Sequence, residues 1–265
     1  MKASSRSASS DRPLIIPLFL PHLGCPHRCV FCNQRTISGS AERSLPTPNR
    51  IHREVKRYLA FARKPRSSIQ ISFFGGNFLG LDRRETINLL DSAAAFVASG
   101  TVDSLRFSTR PDTICPDGLA AIQPYPVRTV ELGVQSMNDE VLSASRRGHK
   151  AAHTIDAATL LKDAGYQVGL QMMVGLPGDD DKGAMRTARQ LAGLGPDFVR
   201  IYPTLVLAGS PLARLFRASI CFSRKGGFPS YGWASRPRTA LQTPPNGLPA
   251  PITRLSVIWC TAKSC

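Results

Sequence analysis

Short apolar runs alternate with helix-spaced segments from Pro13 to about Leu215. The run PLIIPLFLP (13–21), bounded by prolines, has the continuous apolar character of a buried parallel strand. From Asn49 the stretch IHREVKRYLAFARK places Ile51, Val55, Tyr58, Leu59 and Ala62 on one helical face, and SIQISFF (68–74) then forms a strand ending at Gly75-Gly76. The alternation continues with a helix over 82–98, a strand over 104–109, a short helix over 116–122 and a strand over 128–134. A helix over 151–163, with Gly165 suited to its C-cap, leads to a strand over 167–174; a helix over 180–194 leads to a strand over 197–202. Six strands with intervening helices predict an α/β fold with a parallel sheet and right-handed crossovers. Periodicity alone leaves a barrel and an open doubly wound sheet as alternatives.

At 265 residues, 42% hydrophobic, the chain suits one main domain, expected over 13–216. Residues 1–12 are Ser-rich, lack the apolar middle of a secretory signal and read as a disordered tail; no apolar run reaches transmembrane length. The expectation is a cytoplasmic protein with no membrane partner. Net charge is +16, unevenly placed: residues 217–265 hold seven basic residues, six prolines and no acidic residue. With no amphipathic repeat, this segment reads as outside the fold. It is either an aberrant stretch, frame-shifted or truncated, or a basic disordered tail. Arg50, Arg53, Lys56, Arg57, Arg63, Lys64 and Arg66 form a second basic group, readable as a solvated helix face or as a surface for RNA phosphates, without stacking aromatics nearby.

Seven cysteines are too few for a disulfide scaffold, and Cys25, Cys29 and Cys32 fall within eight residues, a pattern of metal ligation in a reducing compartment. Three thiolates spaced four and three apart on a loop leave two readings. One is zinc completed by His22 or His27; the other is a 4Fe–4S cluster with one iron left open. Cys115 reads as a small buried hydrophobe.

The spacing Cys-x3-Cys-x2-Cys, with Phe31 before the last cysteine and the loop directly after the first strand, resembles the radical S-adenosylmethionine (SAM) superfamily. FFGGN (73–77), STRPD (108–112), ELGVQS (131–136), RRGH (146–149) and GLQMMVGLPG (169–178) resemble, in order, motifs shared by the Elongator catalytic subunit and oxygen-independent coproporphyrinogen oxidase. All fall at carboxyl ends of expected strands, the edge where parallel α/β folds place their active sites. The resemblance implies a partial (β/α)6 radical SAM barrel with a 4Fe–4S cluster on Cys25, Cys29 and Cys32, and S-adenosyl-L-methionine as second cofactor. It places Gly75, Gly76 and Asn77 at the SAM amino group and Phe31 packed beside the cluster and adenine. Ser108, Arg110, Gln135 and Gln171 fall along the ribose and carboxylate, with Arg147 pairing with the carboxylate. It further implies an external one-electron reductant such as a flavodoxin or ferredoxin, reductive SAM cleavage to a 5′-deoxyadenosyl radical, and hydrogen abstraction from an unidentified substrate, with tRNA a candidate. An iron–sulfur or zinc binding module without turnover, or an inactive truncated product, are the competing readings.

Overall fold

The computed structural model describes residues 13–20, 22–34, 36, 44–61, 66–223 and 259–260. Six strands are parallel and hydrogen-bonded in sequence order: β1 (Leu14–Phe19), β2 (Ile69–Phe74), β3 (Ser104–Thr109), β4 (Val127–Gln135), β5 (Gln167–Val174) and β6 (Phe198–Pro203). That order decides between the two architectures left open above. A doubly wound sheet reverses its strand order partway, whereas a sheet that adds each strand beside the last winds in one direction, as a barrel does. β1 and β6 are not paired with each other, so the barrel is partial.

Helices α1 (Pro48–Phe61), α2 (Arg83–Ala98), α3 (Pro116–Ile122), α4 (Asp139–Ala144), α5 (Ala151–Asp163) and α6 (Asp181–Gly193) fill the crossovers. Strand side chains alternate between two faces. Ile16, Leu18, Ile71, Phe73, Leu105, Phe107, Val130, Leu132, Val168 and Leu170 join Ile51, Val55, Leu89, Leu90, Leu161 and Leu191 of the helices in one core. The opposite parity carries Gln70, Ser72, Arg106, Glu131 and Arg200, all buried. The core is therefore a layer between sheet and helices, and the barrel interior is polar.

Three elements depart from the sequence reading. α4 was not foreseen: its six residues are too few to show a period, although Asn138 caps the Glu140 amide and Asp139 and Glu140 sit in its first turn. Helix α7 (Pro211–Ser223) crosses the domain boundary drawn after Phe216, carried by the spacing of Leu212, Leu215, Phe216 and Ile220. A two-residue strand β7 (Trp259–Cys260) pairs antiparallel with Val199 and Arg200 of β6. Two pieces of the tail thus join secondary structure, while residues 1–12, 224–258 and 261–265 lie outside the described residues.

Candidate functional site

Cys25, Cys29 and Cys32 sit on the loop after β1, at the carboxyl edge of the sheet. The loop is fastened to the turn after β2 by direct backbone approach. A Cβ on Gly76 would come within 2.3 Å of the Leu23 carbonyl oxygen, and one on Gly24 within 2.1 Å of that of Asn77, so only glycine fits at either place. The Asn77 amide donates to the Leu23 carbonyl at 2.9 Å, closing the same joint.

Asn77 is fully buried (0% exposed). Its Nδ2 donates to the Gly24 carbonyl at 2.9 Å, and its Oδ1 accepts from Thr109 Oγ1 at 2.7 Å, the Arg110 amide at 2.9 Å and Thr113 Oγ1 at 3.0 Å. The side chain of Asn77 is thus engaged in tying the cysteine loop to the end of β3, while its backbone amide and carbonyl are taken by the Leu23 carbonyl and the Gly80 amide. Gln34, two residues after Cys32, is a residue the sequence reading passed over. It accepts from the His22 amide through Oε1 and donates to the Gly75 carbonyl through Nε2, while its own amide donates to His22 Nε2 at 3.1 Å. Its signal was its place two residues past the last cysteine.

Among the described residues no three His, Cys, Asp or Glu side chains converge closely enough to hold a single metal ion. His22 is committed to Gln34, and His27 is exposed with its ring packed on Gly148. A mononuclear zinc would need a fourth protein ligand beside the three thiolates, whereas a 4Fe–4S cluster on three cysteines leaves one iron open. The thiols nevertheless share one electrostatic neighbourhood. Burial first, then the charge of Cys29, raises the Cys25 pKa, and burial with the charges of Cys29 and Cys25 pushes Cys32 up to about 11. Cluster assembly here must therefore release thiol protons.

Around the sulfurs lie buried guanidinium nitrogens without partners, Arg110 Nη1 and Arg147 Nε. Buried donors left unmatched cost free energy unless a ligand completes them, and soft thiolates beside cationic donors suit an anionic iron–sulfur group with a zwitterionic cofactor. Burial, followed by the charge of Arg147, drives the His149 pKa down to about 3, so the imidazole is neutral. Arg110 donates through Nε and Nη2 to Asp112 at 2.9 and 2.8 Å. Arg147 donates through Nη1 to Cys29 Sγ at 3.2 Å and through Nη2 to the Gly133 carbonyl.

Other expected residues are gathered less tightly. Gln171 Nε2 lies 3.4 Å from Gln135 Oε1, across the register shift that ends β4, where Gln135 takes a positive φ of 73°. Phe31 and Ser108 are half-buried. Cys115 departs from expectation: it is exposed, and its sulfur caps α3 by accepting from the Gly118 amide at 3.4 Å.

Below the mouth, the barrel interior holds a charged layer that the sequence reading missed. Arg106 bridges Gln70 Oε1 at 3.0 Å and Glu131 Oε1, and Glu131 Oε2 lies 3.0 Å from Arg200 Nε. Both guanidiniums face the Phe198 ring, at 5.4 and 5.6 Å. The available signal was a charge at the middle of three strands, each at the parity opposite the apolar positions.

Comparison with known proteins places these features. The family model described as Radical SAM superfamily matches residues 19–191. A tRNA uridine(34) acetyltransferase of Methanocaldococcus jannaschii is 27% identical over 235 residues, covering 73% of this chain and 42% of that protein. Protein YhcC of Escherichia coli is 25% identical over 210 residues, covering 73% of this chain and 64% of YhcC. Among solved structures, the archaeal Elp3 of Methanocaldococcus infernus with an N-terminal deletion superposes with a TM-score of 0.61 at 22% identity, over 78% of this chain and 49% of that one. The radical SAM enzyme coproporphyrinogen III oxidase of Escherichia coli superposes with a TM-score of 0.54 at 18% identity, over 81% of this chain and 53% of that one. The chain thus spans less than two thirds of the length of these relatives.

Proposed function

The chain belongs to the radical SAM superfamily, whose enzymes use a 4Fe–4S cluster and SAM, and on that footing we propose that it is a radical SAM enzyme acting on an RNA substrate. Cys25, Cys29 and Cys32 would hold the cluster, and the Gly75–Gly76 turn, fastened to the cysteine loop, would present its backbone to the SAM amino group. Phe31 would pack beside the cluster and adenine, while Ser108, Gln135 and Gln171 would supply polar contacts to the ribose. When bound, the two cofactors supply reductive carbon–sulfur cleavage and a 5′-deoxyadenosyl radical for hydrogen abstraction. The protein's part is orientation and exclusion of water. Asn77 and Gln34 fix the loop and the turn in one position, and the strand ends surround the place where hydrogen is taken. The electron comes from an external flavodoxin- or ferredoxin-class donor.

The observation that carries this reading is a three-thiol loop bolted onto the β2 turn, with unmatched buried cationic donors beside it. Support for RNA comes from the tRNA-modifying relative and from the exposed basic residues Arg53, Lys56 and Arg57 on α1. No helix among the described residues is long and apolar enough to cross a membrane.

Anaerobic reconstitution with iron and sulfide tests the proposal. It expects about four irons per chain and reductant-dependent conversion of SAM to 5′-deoxyadenosine, with turnover products appearing on added bulk tRNA. Zinc uptake in place of iron, or a loaded chain that never cleaves SAM, would overturn it.

A further inference from the structure

Two buried guanidiniums stand beside the cysteines, and they are matched differently. Arg110 is neutralised by the paired hydrogen bonds to Asp112. Arg147, 7% exposed, has no carboxylate partner among the described residues. Its Nη2 is fixed on the Gly133 carbonyl at the end of β4, and that anchor aims Nη1 at Cys29 Sγ, 3.2 Å away. The neighbouring imidazole of His149 is neutral and adds no second cation. A desolvated guanidinium needs a counter-charge, and the Cys29 sulfur is what it faces. Hydrogen bonds to cluster sulfurs and local net charge are among the levers that set an iron–sulfur reduction potential.

We infer that Arg147 is a tuning residue for the cluster: by donating a charged hydrogen bond to the Cys29 sulfur it favours the reduced state and lets an external donor deliver the electron. The inference rests on the cluster reading above. One electron passes from the reduced flavodoxin- or ferredoxin-class donor to the cluster; Arg147 forms no covalent bond and keeps its proton.

The test is an EPR-monitored redox titration of the reconstituted full chain without SAM, with iron and sulfide counted in the same samples. Arg147→Met removes donor and charge, and its cluster should be at least tenfold harder to reduce, about 59 mV for one electron. Arg147→Gln keeps a donor without charge and should shift by less; should the Met variant fail to load iron, the Gln variant and Arg147→Lys decide. Equilibrium SAM binding is measured alongside. Variants that load fully, keep the wild-type potential and lose only SAM affinity overturn the inference in favour of a carboxylate-binding role. A wild-type chain that takes up no four-iron cluster overturns both readings, whereas a loaded chain with an unmoved potential overturns this one alone.

Discussion

The two flanks of the sheet are built to different standards of closure. At β1 to β3 the strand ends, the cysteine loop and the Gly76 turn are locked by backbone approaches and by an asparagine whose side-chain oxygen accepts three hydrogen bonds and whose amide nitrogen donates a fourth. Around β6 and α7 large apolar side chains stand in the open: Leu205 is 55% exposed, Leu215 50% and Phe216 48%, with Ile201 and Val206 also exposed. The contrast separates a flank whose loop and turn are held in one geometry from a flank whose apolar side chains stand uncovered among the described residues.

The sharpest way to break the contrast is at the cofactor flank. Replacing any one of Cys25, Cys29 or Cys32 by Ala should abolish iron loading, because two thiolates do not anchor a four-iron cluster; full loading in a single variant, by iron and sulfide analysis, would refute the assignment. Next in size is Asn77→Ala, which strips the Gly24 carbonyl and the Arg110 amide of their side-chain partner and takes one acceptor from two threonine hydroxyls that keep each other. About 2 to 3 kcal/mol of stability should be lost on urea unfolding. Asn77→Asp, which keeps the acceptor and loses the Gly24 contact, should recover part of it. A smaller effect is expected from pH. An unfolded His149 takes up a proton below about pH 6.5, whereas in the fold its pKa is about 3. The folded state therefore resists protonation, and stability is highest above that window and falls as pH drops through it. The metal-free chain should lose about 2 kcal/mol more between pH 7 and 4.5 than a His149→Gln variant, read from urea midpoints. The smallest effect lies on the open flank, where Leu205→Ser should change stability by less than about 0.5 kcal/mol and reduce light scattering on concentration. A large stability loss there would mean that flank is as tightly built as the other.

Much of this was legible because parallel strands buried between helices announce themselves as apolar runs between helical periods. The three cysteines, the Gly-Gly turn and the Arg-Arg-Gly-His stretch could be placed at one edge by counting elements. Strand order was not legible, since it depends on which crossover each helix makes. Nor was the work of Asn77: its four partners come from Gly24, Thr109, Arg110 and Thr113, all 32 to 53 residues away, where sequence adjacency gives no hint of them. Helix α7 was not expected because the composition change after Leu215 masked a weak apolar spacing, and Cys115 was misjudged because a thiol used as a helix cap has no compositional mark.

The Arg106–Glu131–Arg200 layer has a consequence for how the strands find their alignment. Successive strand residues point to opposite faces, so a one-residue slip of β3, β4 or β6 would carry a charge out of the barrel interior into the apolar layer beneath the helices. Six similar apolar strands added side by side offer many near-equivalent pairings, and a bare buried charge costs several kcal/mol in each wrong one. The ionic layer thus works as a ratchet tooth on three of the strands: it penalises misaligned sheets more than it strengthens the aligned one, and the edge that carries the cysteines inherits its evenness from a charge pattern deep inside the barrel.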